Sequence, residues 1–266
     1  MRPVARPRHF VAPVLAATVL LVLAACGSND TPTVTPSLPS TVALSGSITV
    51  LAASSLTESF NEIGRRFQDS HPGVHVTFSF DASSTLVQQA VAGAPADVLV
   101  TADTDTMQKA VDAGAVSAPT VFAHNRLSII VAKGNPKGIH GLADLSRPGL
   151  VVVLCAVEVP CGKFAAQSLA KAGATVTPKS LEPNVKGVVS KVTLGEADAG
   201  IVYSTDVKAA GAQAEGVTIP PQQNVVADYP IATLKSTKNA ALAAAFVAFV
   251  RSGEGTAVLT GAGFDV

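Results

Sequence analysis

The chain has 266 residues, with 19 basic and 19 acidic side chains, three cysteines and no tryptophan. Hydrophobic residues make up 48% and charged residues only 14%, a balance that excludes a wholly disordered chain. No basic stripe marks a nucleic-acid surface. The length allows one large domain or two small ones, either with a substantial core.

Arg2, Arg6 and Arg8 precede an apolar stretch, Val11 to Ala25, that is short for a membrane span and ends Leu23-Ala24-Ala25-Cys26-Gly27. Residues 1–25 therefore read as an export signal. Their end resembles the lipobox of bacterial lipoproteins, in which the signal is cut before the cysteine and the cysteine carries the lipid. Cys26 is then an anchor holding the protein outside the cell membrane. Without the three signal arginines, 16 basic residues face 19 acidic ones, a net charge of about −3. Residues 26–45, rich in Ser, Thr and Pro, read as a flexible stalk.

From Ile48 onward strands and helices alternate, which indicates an α/β fold with a largely parallel sheet. Ile48–Ala52 reads as a strand, and Leu56, Phe60, Ile63 and Phe67 then recur at helical spacing. His71-Pro72-Gly73 makes a turn before a strand from Val74 to Phe80. A helix from Leu86 to Ala92 is closed by Gly93, a strand follows at Asp97–Val100, and a helix from Thr104 stops at Gly114. A second series begins after Arg126: strands at Leu127–Ala132 and Val151–Leu154, helices at Lys163–Ala172 and Val185–Leu194, and a strand at Ala199–Tyr203. Near Asp228-Tyr229-Pro230 the pattern returns to the first series and ends in two helices, Ala240–Val250 and Gly255–Leu259. The expected organisation is one lobe of residues 46–125 with 229–266, a second lobe of 126–228, and a cleft between them.

Two junctions run from an apolar strand through hydroxyl residues into a helix. They are Ala53-Ser54-Ser55-Leu56-Thr57 and Asp81-Ala82-Ser83-Ser84-Thr85. A helix start carries free N–H groups and partial positive charge, so the two junctions together suit an anion; either one alone reads first as a plain N-cap, Ser55 with Glu58 as a capping box. Cys155 and Cys161 lie close enough in sequence to form a disulfide outside the cell, and lack the C-x-x-C spacing of a redox pair. No G-x-S-x-G elbow or phosphate loop is present, Pro72-Gly73 breaks the helix that would pair His71 with His75, and Asp103 and Asp105 read as caps. Nothing positively supports catalysis. A lipid-anchored hydrolase using Ser55 or Ser83 is a rival that requires a base beside one of them.

Four ordered segments carry a family resemblance. They are Ala52-Ala53-Ser54-Ser55-Leu56-Thr57, Ser83-Ser84-Thr85-Leu86, Ala92-Gly93-Ala94-Pro95-Ala96-Asp97-Val98 and Gly200-Ile201-Val202-Tyr203-Ser204-Thr205-Asp206. With Glu158-Val159-Pro160-Cys161-Gly162 and Gly263-Phe264, they resemble the molybdate-binding proteins of bacterial molybdate ABC transporters. The resemblance implies a two-lobed type II periplasmic-binding-protein fold and no enzymatic activity or cofactor. It further implies a monomer that holds molybdate or tungstate by neutral hydrogen bonds and passes it to a permease with its ATPase. It assigns ligand contacts to Ser55, Ser83, Cys161, Val185 and Tyr203: hydroxyl and backbone donors from the serines, backbone N–H groups from Cys161 and Val185, and a phenol from Tyr203. Cys161 stands where the family usually has a small residue such as alanine, a change that a backbone contact tolerates. Sulfate or another tetrahedral oxyanion is the nearest alternative ligand.

Overall fold

The computed structural model describes residues 44–266; the expected signal, Cys26 and all but the last two stalk residues lie outside that range. The first strand, β1 (Gly46–Ala53), buries Ile48 and the run Val50–Ala53 and leads through a short 3-10 turn, Ser54–Leu56, into helix α1 (Thr57–Ser70). Leu56, Phe60, Ile63 and Phe67 are fully buried, the i, i+4, i+7, i+11 stripe that turns a helix face onto a sheet. Phe60 and Phe67 meet Phe246 with ring centroids 6.3 and 5.4 Å apart. That contact seats the C-terminal helix α7 (Ala240–Val250), followed by α8 (Gly253–Ala262), against the first part of the chain.

Between these ends come β2 (Val74–Asp81), α2 (Ser83–Val91), β3 (Val98–Val100), α3 (Thr104–Asp112) and β4 (Thr120–Ala132). Next are β5 (Val152–Cys155), α4 (Pro160–Ala172), β6 (Ser180–Glu182), α5 (Val185–Thr193) and β7 (Ala199–Tyr203). Helix α6 (Ser204–Ala210), β8 (Ala214–Thr218) and β9 (Val226–Thr233) complete the set.

The strands form one mixed sheet in the order β2-β1-β3-β9-β4-β7-β5-β6, with β8 also paired to β4. Crossover helices make β1 parallel to β2 and β3, and β5 parallel to β6 and β7. The middle of the sheet is antiparallel, because β9 and β4 pair with each other and with neighbours running the opposite way.

Strand β4 starts seven residues before the expected Leu127. Its early part, Thr120–Arg126, pairs with β9, and from Leu127 onward it pairs with β7 and β8. The early part has an apolar run of only three residues, Val121-Phe122-Ala123, and is held by non-local partners. His124 Nδ1 lies 2.7 Å from Asp228 Oδ1, and His124 exchanges backbone hydrogen bonds with Asp265. The sheet thus changes partners at Arg126/Leu127 along an unbroken strand.

Candidate functional site

Each of the five expected ligand residues sits where a strand or loop meets a helix. Ser55 lies in the turn between β1 and α1, and Ser83 is the first residue of α2. Cys161 is the second residue of α4, directly after Pro160, and Val185 is the first residue of α5. Tyr203 ends β7 and caps α6. The first N–H groups of a helix have no intrahelical acceptor, and proline has no N–H, so the Cys161 N–H is the first donor of α4.

The fold brings all five together around a single cavity of about 10 Å³, space for about one water-sized sphere. Three of the helix starts, those of α2, α4 and α5, converge there, adding their partial positive charges. No lysine, arginine or histidine lines it among the described residues.

The hydroxyls are set as donors by their surroundings. Ser83 Oγ accepts the Ala102 N–H at 2.9 Å, which leaves its proton free for the cavity. Ser55 Oγ is 2.9 Å from Tyr229 Oη, and when Tyr229 donates, the Ser55 proton is free as well. Ser55 therefore forms no capping box with Glu58; α1 has no side-chain cap. Tyr203 is 1% exposed, and its Oη has no hydrogen-bond partner among the described residues. A buried unpaired hydroxyl costs about 1–3 kcal/mol, and the Tyr203 Oη proton is available to the cavity that the residue lines. Burial first, then the fields of Tyr229, Asp103 and Asp206, hold the Tyr203 phenol well above its ordinary pKa, so it stays a neutral donor.

Charges surround the cavity in compensated sets. Asp81, the one charged residue in the lining, departs from the expected neutral wall. Its Oδ1 accepts the Ala82 N–H at 2.7 Å and the Asn184 amide at 3.1 Å. Lys163 of α4 reaches Asp103 and Asp105 at the start of α3, at 2.7 and 3.0 Å. Lys186 of α5 pairs with Glu58 of α1 at 2.8 Å and Asp206 of α6 at 3.1 Å. Burial pushes the Asp206 carboxyl up to about 6, although Lys186 and the Tyr203 N–H pull the other way.

Cys155 and Cys161 are joined by a disulfide with Cα atoms 5.8 Å apart, tying the end of β5 to the first turn of α4. At Gly162 any Cβ would collide with the Ala156 carbonyl, so only glycine lets this loop fold beneath the helix start. Neither Ser55 Oγ nor Ser83 Oγ has a histidine, lysine or carboxylate partner among the described residues, and the base required by the hydrolase rival is missing. Asp103 caps α3 by accepting the Thr106 N–H, as its position suggested.

Sequence reasoning missed Tyr229, Ala102, Asp81 and Asn184 as parts of the site. Asn184 carries a local signal, since it directly precedes a helix and its Oδ1 accepts the Gly187 N–H at 3.2 Å. Tyr229 carries none, because it meets Ser55 across 174 residues of chain.

Residues 48–265 match the family model described as bacterial extracellular solute-binding protein. The chain belongs to this family. It is a solute-binding protein and not an enzyme. It is 42% identical over 251 residues to "Molybdate-binding protein ModA" of Mycobacterium tuberculosis (strain H37Rv), covering 94% of this chain and 95% of the relative. The solved structure of the Azotobacter vinelandii periplasmic molybdate-binding protein matches with a TM-score of 0.72 at 20% identity, over 82% of this chain and 99% of that one. The sulfate-binding protein SubI of M. tuberculosis H37Rv matches with a TM-score of 0.74 at 22% identity, over 82% and 86%. These two likenesses establish the fold that this solute-binding protein shares with periplasmic binding proteins.

Proposed function

We propose that this solute-binding protein captures molybdate, and tungstate with it, and delivers the anion to an ABC permease driven by its ATPase. One observation carries the reading. Ser55, Ser83, Cys161, Val185 and Tyr203, far apart in sequence, line one small cavity as neutral donors, with no cation among them. The 42% identity to a molybdate-binding relative supports the choice of anion.

Residues 46–125 with 229–266 form one lobe and 126–228 the other; the anion bridges helix starts of both, and that bridge favours the closed form. Hydrogen bonds to a charged group contribute about 1.5–3 kcal/mol each. Roughly six of them leave enough, after ordering costs, for a complex near −8 kcal/mol. The five donors suit a fully ionised tetrahedral anion, each of whose oxygens accepts. Molybdate and tungstate share charge and nearly share size, so the same wall accepts both.

Calorimetry against molybdate, tungstate and sulfate tests the assignment. Sub-micromolar binding of the first two with weak sulfate binding is expected; sulfate binding as tight as molybdate removes it. A lipid on Cys26 holds the protein at the outer face of the cell membrane as a monomer. Cys26→Ser then shifts it from the membrane fraction to the soluble one.

A further inference from the structure

Asp81 Oδ1 joins two helix starts that face the same cavity. It accepts the Ala82 N–H at the N-cap of α2, 2.7 Å away, and the Asn184 Nδ2–H at the N-cap of α5, 3.1 Å away. The other end of the Asn184 amide, Oδ1, accepts the Gly187 N–H and holds the first turn of α5. Ser83 and Val185, each expected to contact the anion, stand one or two residues from this junction. The pair therefore fixes where the two sets of backbone donors lie relative to each other. It spans 103 residues and joins the strand end of one proposed lobe to the helix start of the other.

We infer that Asp81 and Asn184 are positioning residues that act as a latch across the cavity and set how slowly the anion leaves. The inference rests on the anion-binding reading and adds to it. A carboxylate beside an anion opposes binding by its charge, and here its oxygen is used to hold the two donor groups in register. The latch breaks before the anion can escape and forms only as the two sides meet. It therefore governs release more than capture.

The test uses variants that keep the α5 cap, since Asn and Asp are comparable at an N-cap. Asn184→Asp removes the donor and sets one carboxylate against another. The double variant D81N/N184D restores the bond with donor and acceptor exchanged and the net charge of the wild type. Release is followed by stopped-flow tyrosine fluorescence, because Tyr203 and Tyr229 are the only tyrosines and tryptophan is absent. The probe is whichever of molybdate, tungstate and sulfate the wild type holds in calorimetry. Failure of the molybdate reading thus shows in the wild type, and failure of the latch shows in the variants.

Release from Asn184→Asp is expected to be about tenfold faster or more, the factor a single charge-assisted hydrogen bond represents, with association changed less than about threefold. The double variant is expected to return release to within about threefold of the wild type. Unchanged release in Asn184→Asp, or no recovery in the double variant while its ligand-free melting matches the wild type, overturns the inference.

Discussion

Ser55 Oγ and Tyr229 Oη lie 2.9 Å apart, joining the turn after the first strand to β9, the last strand in chain order and a central one in the sheet. Tyr229 is fully buried, and burial is the foremost cause raising its pKa, so it is a neutral phenol able to donate to Ser55. When it donates, the Ser55 proton is free for the cavity. Tyr229→Phe removes that donor without emptying the space. Affinity for molybdate is expected to fall about tenfold, which titration calorimetry checks, with little change in ligand-free melting temperature.

Tyr203→Phe separates stability from binding. The phenol is buried beside the cavity, and its removal takes away a donor without changing the shape of the wall. The melting temperature without ligand is expected to stay within about 2 °C of the wild type, while molybdate affinity falls at least tenfold. Combined with Ser83→Ala, the loss reaches several kcal/mol with the fold intact. A variant that melts lower and binds as well as wild type would place the hydroxyl in the core and not in the site.

Asp206 makes stability depend on pH. Its carboxyl titrates at about 6 in the folded protein against an ordinary 3.8. The folded state therefore holds the proton more tightly than the unfolded one. The Asp206 contribution to stability is largest below about 4, falls as pH rises to about 6, and is constant above that. Urea unfolding at pH 4.5 and 7 is expected to show this loss in the wild type relative to Asp206→Asn, whose side chain does not titrate. Identical pH profiles for the two proteins would count against the assignment.

The disulfide stiffens one wall of the cavity. Replacing Cys155 and Cys161 together by serine is expected to cost about 2 kcal/mol in denaturant unfolding, the chain-entropy value for so short a loop. Molybdate affinity falls with it, because the first turn of α4 loses its tie to β5.

Much of the outline was legible in the residues. Leu56, Phe60, Ile63 and Phe67 announce α1 because a 3.6-residue repeat must bury one face, and all four are fully buried. The strands at Ile48, Val74, Val151 and Ala199 are short apolar or alternating runs bounded by turns, and local pattern suffices for them. The early part of β4, Thr120–Arg126, has only Val121-Phe122-Ala123 before three polar residues, and its pairing with β9 supplies the rest. Helix α6 and strands β6 and β8 are likewise short, and their partners lie elsewhere in the chain.

The candidate site divides along the same line. The sequence by itself marked the Ser55 and Ser83 junctions as helix starts with free donors, because capping and helix polarity are local; family likeness added Cys161, Val185 and Tyr203. Only the tertiary structure decided which partner each hydroxyl meets and what holds the donors in register. Ser83 meets the Ala102 N–H, Ser55 meets Tyr229, and Asp81 meets Asn184 across 19, 174 and 103 residues of chain. Hydrogen bonding belongs to pairs of groups, and a pair separated so far in sequence exists only once the sheet has closed.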